Sequence, residues 1–310
     1  MSIWQTKSWQ EMLKKSGQVS DYFEINDVFI EKRKVALWEY WLFILWIKKE
    51  ILTKNFNKKL RNLCRKENCL FVQVEIINYN PHLASPEGEE NKAPSILGEG
   101  WDEDFYKKFI TPYTAIINLE KTEEEILANM KPKWRYNIKV ARKNWVEAEI
   151  VEKTEKNIKA YYDLMLETTS RDNFSGNSLK YYKTFLNNLE NSKLILAKKD
   201  WTIIAGGIFV FDSKISIYYY WASTSKKEYR NLMAPYLVQW EAIKYAKFIN
   251  SKIYDFLWVS SPSDKNSELI WVTNFKKKLT KDIIKVSSSY IFINKKIKYF
   301  IINTLRKLKK

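Results

Sequence analysis

"TIIAGGIFVFDSKISIYYYWAST" spans residues 202–224, and "YRNLMAPYLVQWEAIKYAKF" follows at 229–248. The first stretch reads as two strands, 202–211 and 214–222, joined by the short polar "FDSK" of a hairpin. The second reads as a helix over 235–249, after which "KIYDFLWV" (252–259) reads as a further strand. Upstream, the pattern gives a strand at 146–152, helices at 155–169 and 178–190, and a strand at 193–199. Two helices, three consecutive strands, then a helix and a strand make one α/β unit beginning near residue 146.

The half before it carries a degraded version of the same order. Helix 8–16 precedes strands 21–33 and 35–47, helix 55–67 and strand 69–76. A polar loop (78–100), strand 113–119 and two helices separated near "KPK" complete it. The first of these helices opens "EKTEEE", acidic where the helix dipole favours negative charge. This order resembles the acyl-CoA N-acyltransferase (GNAT) fold. The expected class is α/β, with two tandem GNAT-like domains of mixed sheets flanked by helices. The first is a degenerate domain over 1–145, with a C-terminal helix, 290–310, packing back on it; the second covers 146–289.

With 45% hydrophobic residues and only seven Gly and seven Pro among 310, each domain can bury a core and the chain is ordered. The net charge is +17, and from Lys276 to Lys310 twelve Lys or Arg face a single acid, Asp282. Such a field attracts polyanions, either nucleic acid or an anionic membrane surface, unless it is a plainly solvated basic face. Two cysteines, Cys64 and Cys69, and one histidine, His82, exclude a convincing zinc site or a histidine-based triad, so neither metal nor cofactor is expected. Catalysis must run on Lys, Arg, Tyr, carboxylates and positioning. "VALWEYWLFILWI" (35–47) is too short to span a bilayer, and the opening residues lack the apolar core of a signal peptide. The expectation is a cytoplasmic monomer, with peripheral membrane contact as an option.

Five stretches bear on chemistry. In "YRNLMAPY", Arg230 precedes a helix start of the kind that grips the pyrophosphate of an acyl-CoA, yet Met233 and Pro235 stand where hydrogen-donating small residues are needed. "KPKWRYNIKVARKN" (131–144) sets Lys133, Arg135, Lys139 and Arg142 around aromatic residues; the helix offers either a solvated basic face or a phosphate contact. Arg171 in "ETTSRDNF" suits either a two-pronged grip on a phosphate or carboxylate, or a helix-end pairing with Asp172. Alternation along "ISIYYYWAST" puts Tyr218 and Tyr220 on one face and Tyr219 on the other, as core residues or substrate contacts. In "TNFKKKL" (273–279), an ammonium can meet a carbonyl oxygen that becomes negative during acyl transfer.

Together "RYNIKVARK", "LETTSRDNF", "AGGIF", "YYYWAST", "YLVQWEAIKYAK" and "NFKK" resemble, in order, the Fem family of peptidoglycan cross-bridge aminoacyltransferases, in its compact form without a coiled-coil arm. The resemblance is clear over 113–285 and looser through "WQTKSWQEMLKK". It implies transfer of an amino acid from aminoacyl-tRNA to an amine of a peptidoglycan precursor, lipid-linked or UDP-linked. A tRNA ester donor makes the acyl-CoA cradle unnecessary. It further implies Lys276 at the developing oxyanion with Phe275 beside it, and Arg171, Lys14 and Arg230 on acceptor phosphates or the tRNA end. Tyr218 and Tyr220 would line the channel, and Lys133, Arg135, Lys139 and Arg142 would meet the tRNA. The chain departs from the family pattern at "WIKKEIL" (46–52), at the offset of Lys14 and after "NFKK". A non-catalytic polyanion-binding protein and a CoA-dependent N-acetyltransferase are the alternatives, the latter opposed by Met233 and Pro235.

Overall fold

The computed structural model describes residues 2–36, 38–77, 100–264, 267 and 269–308. In chain order the elements are α1 (Lys7–Lys15), β1 (Asp21–Ile25), β2 (Val28–Ala36), β3 (Glu39–Lys48), α2 (Lys54–Lys66), β4 (Phe71–Ile77), β5 (Trp101–Asp102) and β6 (Tyr113–Asn118). Then come α3 (Glu123–Asn129), α4 (Pro132–Lys143), β7 (Val146–Val151), α5 (Glu155–Asp172), α6 (Leu179–Asn188), β8 (Ser192–Lys199), β9 (Thr202–Val210) and β10 (Ile215–Ser223). The series ends with α7 (Lys227–Arg230), α8 (Ala234–Phe248), β11 (Ile253–Asp255), α9 (Ile270–Lys276), β12 (Ile283–Lys285), β13 (Ser287–Ile293) and α10 (Lys296–Leu308). The loop expected over 78–100, with His82, falls outside the described residues except for Gly100.

The chain divides into two units, Met1–Pro112 with Lys285–Lys310, and Tyr113–Ile284. The boundary expected after residue 145 is therefore corrected. Residues 113–145 go with the second unit because β6 pairs antiparallel with β11 and α4 packs against α8.

The first unit is a six-stranded sheet in the order β1-β2-β3-β4-β13-β5. The single strand expected over 21–33 is a hairpin, turned at Asn26 and Asp27 with φ of 51° and 61°. Two residues at positive φ give the turn whose twist suits a two-residue hairpin, and Asn and Asp tolerate it best. One sheet face meets α2 through Phe56, Leu60 and Cys64 over Ile44, Val72 and Val74. The free thiols Cys64 and Cys69 are buried, which lifts them to about 12 and about 11 and leaves them unreactive. "SSSYIFI" (287–293), assigned in part to the C-terminal helix, is instead β13, antiparallel to β4. Only the part from Lys296 is helix, and its Tyr299 ring meets Phe71 at 5.1 Å.

The second unit is a seven-stranded mixed sheet in the order β12-β6-β11-β10-β9-β8-β7. The helices α5 and α8 pack on it, α8 together with α4 and α5 together with α6. Gly206 in β9 admits that packing, since a Cβ there would sit 2.7 Å from Leu196 and 3.3 Å from the Tyr161 ring of α5. Both units are mixed sheets flanked by helices, the α/β class that the element order implied.

Candidate functional site

The seven-stranded sheet splits at one point. β10 and β11 run parallel only from Ile215 beside Ile253 to Ile217 beside Asp255. Beyond it β10 stays with β9 as far as Ser223, while the chain after Asp255 stays with β6, Phe256 N–H donating to Ala115 and Val259 N–H to Tyr113. A wedge opens between the carboxyl ends of two parallel strands, where unpaired strand edges offer hydrogen-bonding groups to a ligand.

Lys276 lies at this split, 2% exposed, as the last residue of α9. Its Nζ donates to Leu257 O at 2.6 Å and Trp258 O at 3.1 Å, and sits 5.9 Å from the Tyr218 ring centroid. The acceptors are presented by an unusual turn, with φ of 49° at Leu257 and 35° at Trp258. Side chains with a Cβ rarely adopt this region, and such strain persists only where surrounding contacts fix it. One turn earlier on α9, the Thr273 hydroxyl accepts from Ser260 N–H at 2.9 Å, pinning the same segment. This is why the strand expected over 252–259 stops at Asp255.

Asp255 completes the cluster. Its Oδ1 accepts from the Thr114 hydroxyl and from Leu257 N–H at 2.7 Å. Burial pushes its carboxyl up to about 6, although Thr114, Leu257 and Lys276 all favour the charged form. Burial likewise pushes the Lys276 ammonium down to about 7, against the attraction of Asp255. An ammonium with two of its three N–H groups satisfied by peptide carbonyls retains one for a substrate oxygen.

A β-bulge between Tyr218 and Tyr220 overturns the expected alternation. Tyr218 stays on the Lys276 side, stacked on Phe209 at 5.5 Å. Tyr219 and Tyr220 both turn to Trp258, at 5.6 and 6.1 Å, and the Tyr220 hydroxyl meets that of Tyr181 at 2.9 Å. The residues at the split are thus Lys276, Tyr218, Asp255 and Trp258, with Tyr220 beyond the Trp258 ring. Phe275 is directed elsewhere, its ring against Trp134 and Tyr236 at 5.5 and 6.0 Å.

Other expected contacts are occupied within the fold. Arg171 makes two 2.8 Å bonds to Asp172 and donates to the Ser223 and Thr224 carbonyls, each at 3.2 Å, so it ties α5 to the end of β10. Arg135 caps α3, its Nη1 donating to Leu127 O, Ala128 O and Met130 O. A guanidinium is drawn to those carbonyls because the helix end is negative. Arg142 reaches Glu241 of α8 at 3.4 Å. What remains outward on α4 is Lys133, Lys139 and Lys143 with Tyr136. Arg230 is exposed at the end of α7. Met233 caps α8 at φ 58° with Pro235 in its first turn, so this helix start lacks a run of backbone donors. Lys14 belongs to the first unit, where it pairs with Asp21 at 2.8 Å and borders an open hollow with Glu11, Lys15 and Tyr22.

Sequence reasoning missed Thr114 and the Leu257–Trp258 carbonyls. Nothing in "FLWV" marks positive φ, since neither glycine nor asparagine stands there.

The model of the FemAB family matches residues 2–201 and 190–307. The chain belongs to the FemAB family. Among FemAB relatives, aminoacyltransferase FemA of Staphylococcus aureus (strain MW2) is 22% identical over 334 residues, covering 82% of this chain and 78% of FemA. The crystal structure of FemX superposes with a TM-score of 0.78 at 17% identity, covering 97% of this chain and 94% of FemX. L-PGS from Bacillus licheniformis shares the fold at a TM-score of 0.60 and 13% identity, covering 96% of this chain and 91% of that one.

Proposed function

We propose that this FemAB-family chain transfers an amino acid from aminoacyl-tRNA to an amine of a peptidoglycan precursor stem peptide, with the chemistry at the split between β10 and β11. The observation that carries the reading is Lys276, buried where two parallel strands part and aimed by two carbonyls of a strained turn.

The acceptor amine attacks the ester carbonyl, a C–N bond forms, and the carbonyl oxygen gains negative charge. The third N–H of Lys276 meets that oxygen. As the intermediate collapses, the ester C–O bond breaks and the ribose oxygen leaves, taking up the proton that the amine gives away. An ester of tRNA is already activated, so positioning and charge stabilisation supply most of the rate. Tyr218 walls the ammonium from one side. Asp255, hydrogen-bonded through Oδ1 and buried, holds the turn rather than taking the proton. Lys133, Lys139 and Tyr136 on the outer face of α4 suit the tRNA backbone. The start of α8, with Met233 and Pro235, argues against an acyl-CoA donor.

The test is single-turnover transfer of radiolabelled amino acid from a mixture of charged tRNAs to precursor. Lys276→Met should lower the rate by roughly 100- to 1000-fold, the usual effect of losing one oxyanion donor. Lys277→Met and Lys278→Met, equal in net charge, should change it little. Transfer at the wild-type rate by Lys276→Met ends its assigned role. No transfer by the wild type to any precursor favours a binding protein instead.

A further inference from the structure

The helix α10 carries a face that the fold leaves open. Its inner side is fixed: Tyr299 packs on Phe71, and Arg306 lies over the Tyr106 ring at 4.3 Å. On the outer side Ile297, Phe300, Ile301, Leu305 and Leu308 recur at three- and four-residue spacing, with exposures of 79, 72, 51, 54 and 79%. Solvent-facing apolar residues are normally scattered singly, not aligned along a whole helix. Lys296 and Lys298, both exposed, flank the stripe, and residues 295–310 hold seven Lys or Arg and no acid.

A second exposed aromatic lies at the same end of the helix. Glu39, which opens β3, accepts from Lys298 Nζ at 2.5 Å, and its neighbour Trp38 is 85% exposed at the tip of the β2–β3 hairpin. A tryptophan beside an apolar helix face rimmed by lysine is the composition that seats at a lipid headgroup boundary. A nucleic acid would use the cations but leave five aliphatic and aromatic side chains in water. No helix of the described residues is long and apolar enough to cross a membrane, and α10 has thirteen residues.

We propose that α10, with Trp38, docks the chain flat on an anionic lipid bilayer, the apolar stripe entering the headgroup region and the flanking lysines meeting lipid phosphates. This does not depend on the transfer reaction.

The experiment is co-sedimentation of the full chain with phosphatidylcholine vesicles, alone or with about 30% phosphatidylglycerol. The wild type should bind the anionic vesicles and largely ignore the neutral ones. The double variant Phe300→Ser/Ile301→Ser, its fold checked by circular dichroism, should bind roughly 30-fold more weakly, because two partly inserted apolar side chains are lost. Lys296→Glu should cost roughly tenfold on anionic vesicles. Wild type that stays in the supernatant with anionic vesicles overturns the proposal. So does equal binding by the double variant, which would leave only a basic surface attracted to phosphate. A wild-type dimer that the double variant converts to monomer would assign the face to a second copy of the chain instead.

Discussion

Each unit buries ionisable groups, and the two solve the problem differently. In the second unit Lys276 is held by peptide carbonyls, Leu257 O and Trp258 O, with Asp255 in turn held by Thr114 and Leu257 N–H. In the first, Arg33 of β2 grips Glu31 with Nε at 2.6 Å, stacks on Phe109 at 4.0 Å, and leaves Glu75 of β4 with little support. Glu75 Oε2 is buried without a hydrogen-bond partner among the described residues, and only Gln73 reaches Oε1, at 3.4 Å. The cluster at Arg33 is closed by its own guanidinium; that at Lys276 keeps a donor in hand at a strand split. A buried charge with an unspent hydrogen bond beside an opening is what a reacting site requires, whereas a closed ion pair inside a sheet face serves the fold.

Removing the Arg33 partner should have the largest effect on stability. Glu31→Gln leaves a buried guanidinium without its counter-charge, and breaking such a pair costs about 3 kcal/mol or more. Urea unfolding should show a lower midpoint with an unchanged slope. A midpoint like wild type would mean that the Phe109 ring and Gln18 carbonyl suffice for Arg33, and the contrast between the clusters would fail.

Lys276→Met comes next. It silences two carbonyl contacts but also removes a buried charge, so its cost at neutral pH should be about 1–2 kcal/mol. Its pH dependence is more telling. The folded value, about 7, lies below that of a free lysine. The unfolded chain therefore binds more protons between pH 7 and 10, and this group makes stability rise with pH across that window. Thermal melts of wild type from pH 7 to 9 should contain a gain that Lys276→Met lacks. Parallel curves for the two would refute the burial argument.

What the sequence disclosed of all this is uneven, for physical reasons. The hairpin 202–222 and helix α8 were legible because periodicity and turn chemistry agree there. The family resemblance pointed to Lys276, but not to what holds it. The end of β11 was overextended because Leu257 and Trp258 have strand-like side chains, and only the tertiary demand of an ammonium bends them. Tyr220 was put on the wrong face because a bulge leaves no mark in "YYY". Arg135 looked like part of a basic surface because a charge pattern cannot say when a guanidinium folds back onto a neighbouring helix end. In each case a contact distant in sequence overrode a local rule.

The smallest effect should come from Glu75→Gln, and it should run in the opposite direction. Burial pushes the Glu75 carboxyl up to about 8, with Glu31 nearby adding to the rise and Lys108 opposing it. In the unfolded chain it titrates near the ordinary glutamate value, so between about pH 4.5 and 8 the folded state binds the extra proton. Stability from this group is fully present below pH 4.5, falls as pH rises through the window, and stays lost above 8. Glutamine keeps the shape of the protonated acid and can still meet Gln73, but has no charge to desolvate. At pH 4 the variant should melt with wild type. At pH 8.5 it should be the more stable, by about 1 kcal/mol or less and so by a degree or two, since buried groups relax most of the full penalty. A Glu75→Gln curve lying below wild type at high pH would mean that the ionised carboxylate is wanted there, held by Lys108 as a working charge. The first unit would then have a second poised group, and the distinction from the Lys276 cluster would have to be redrawn.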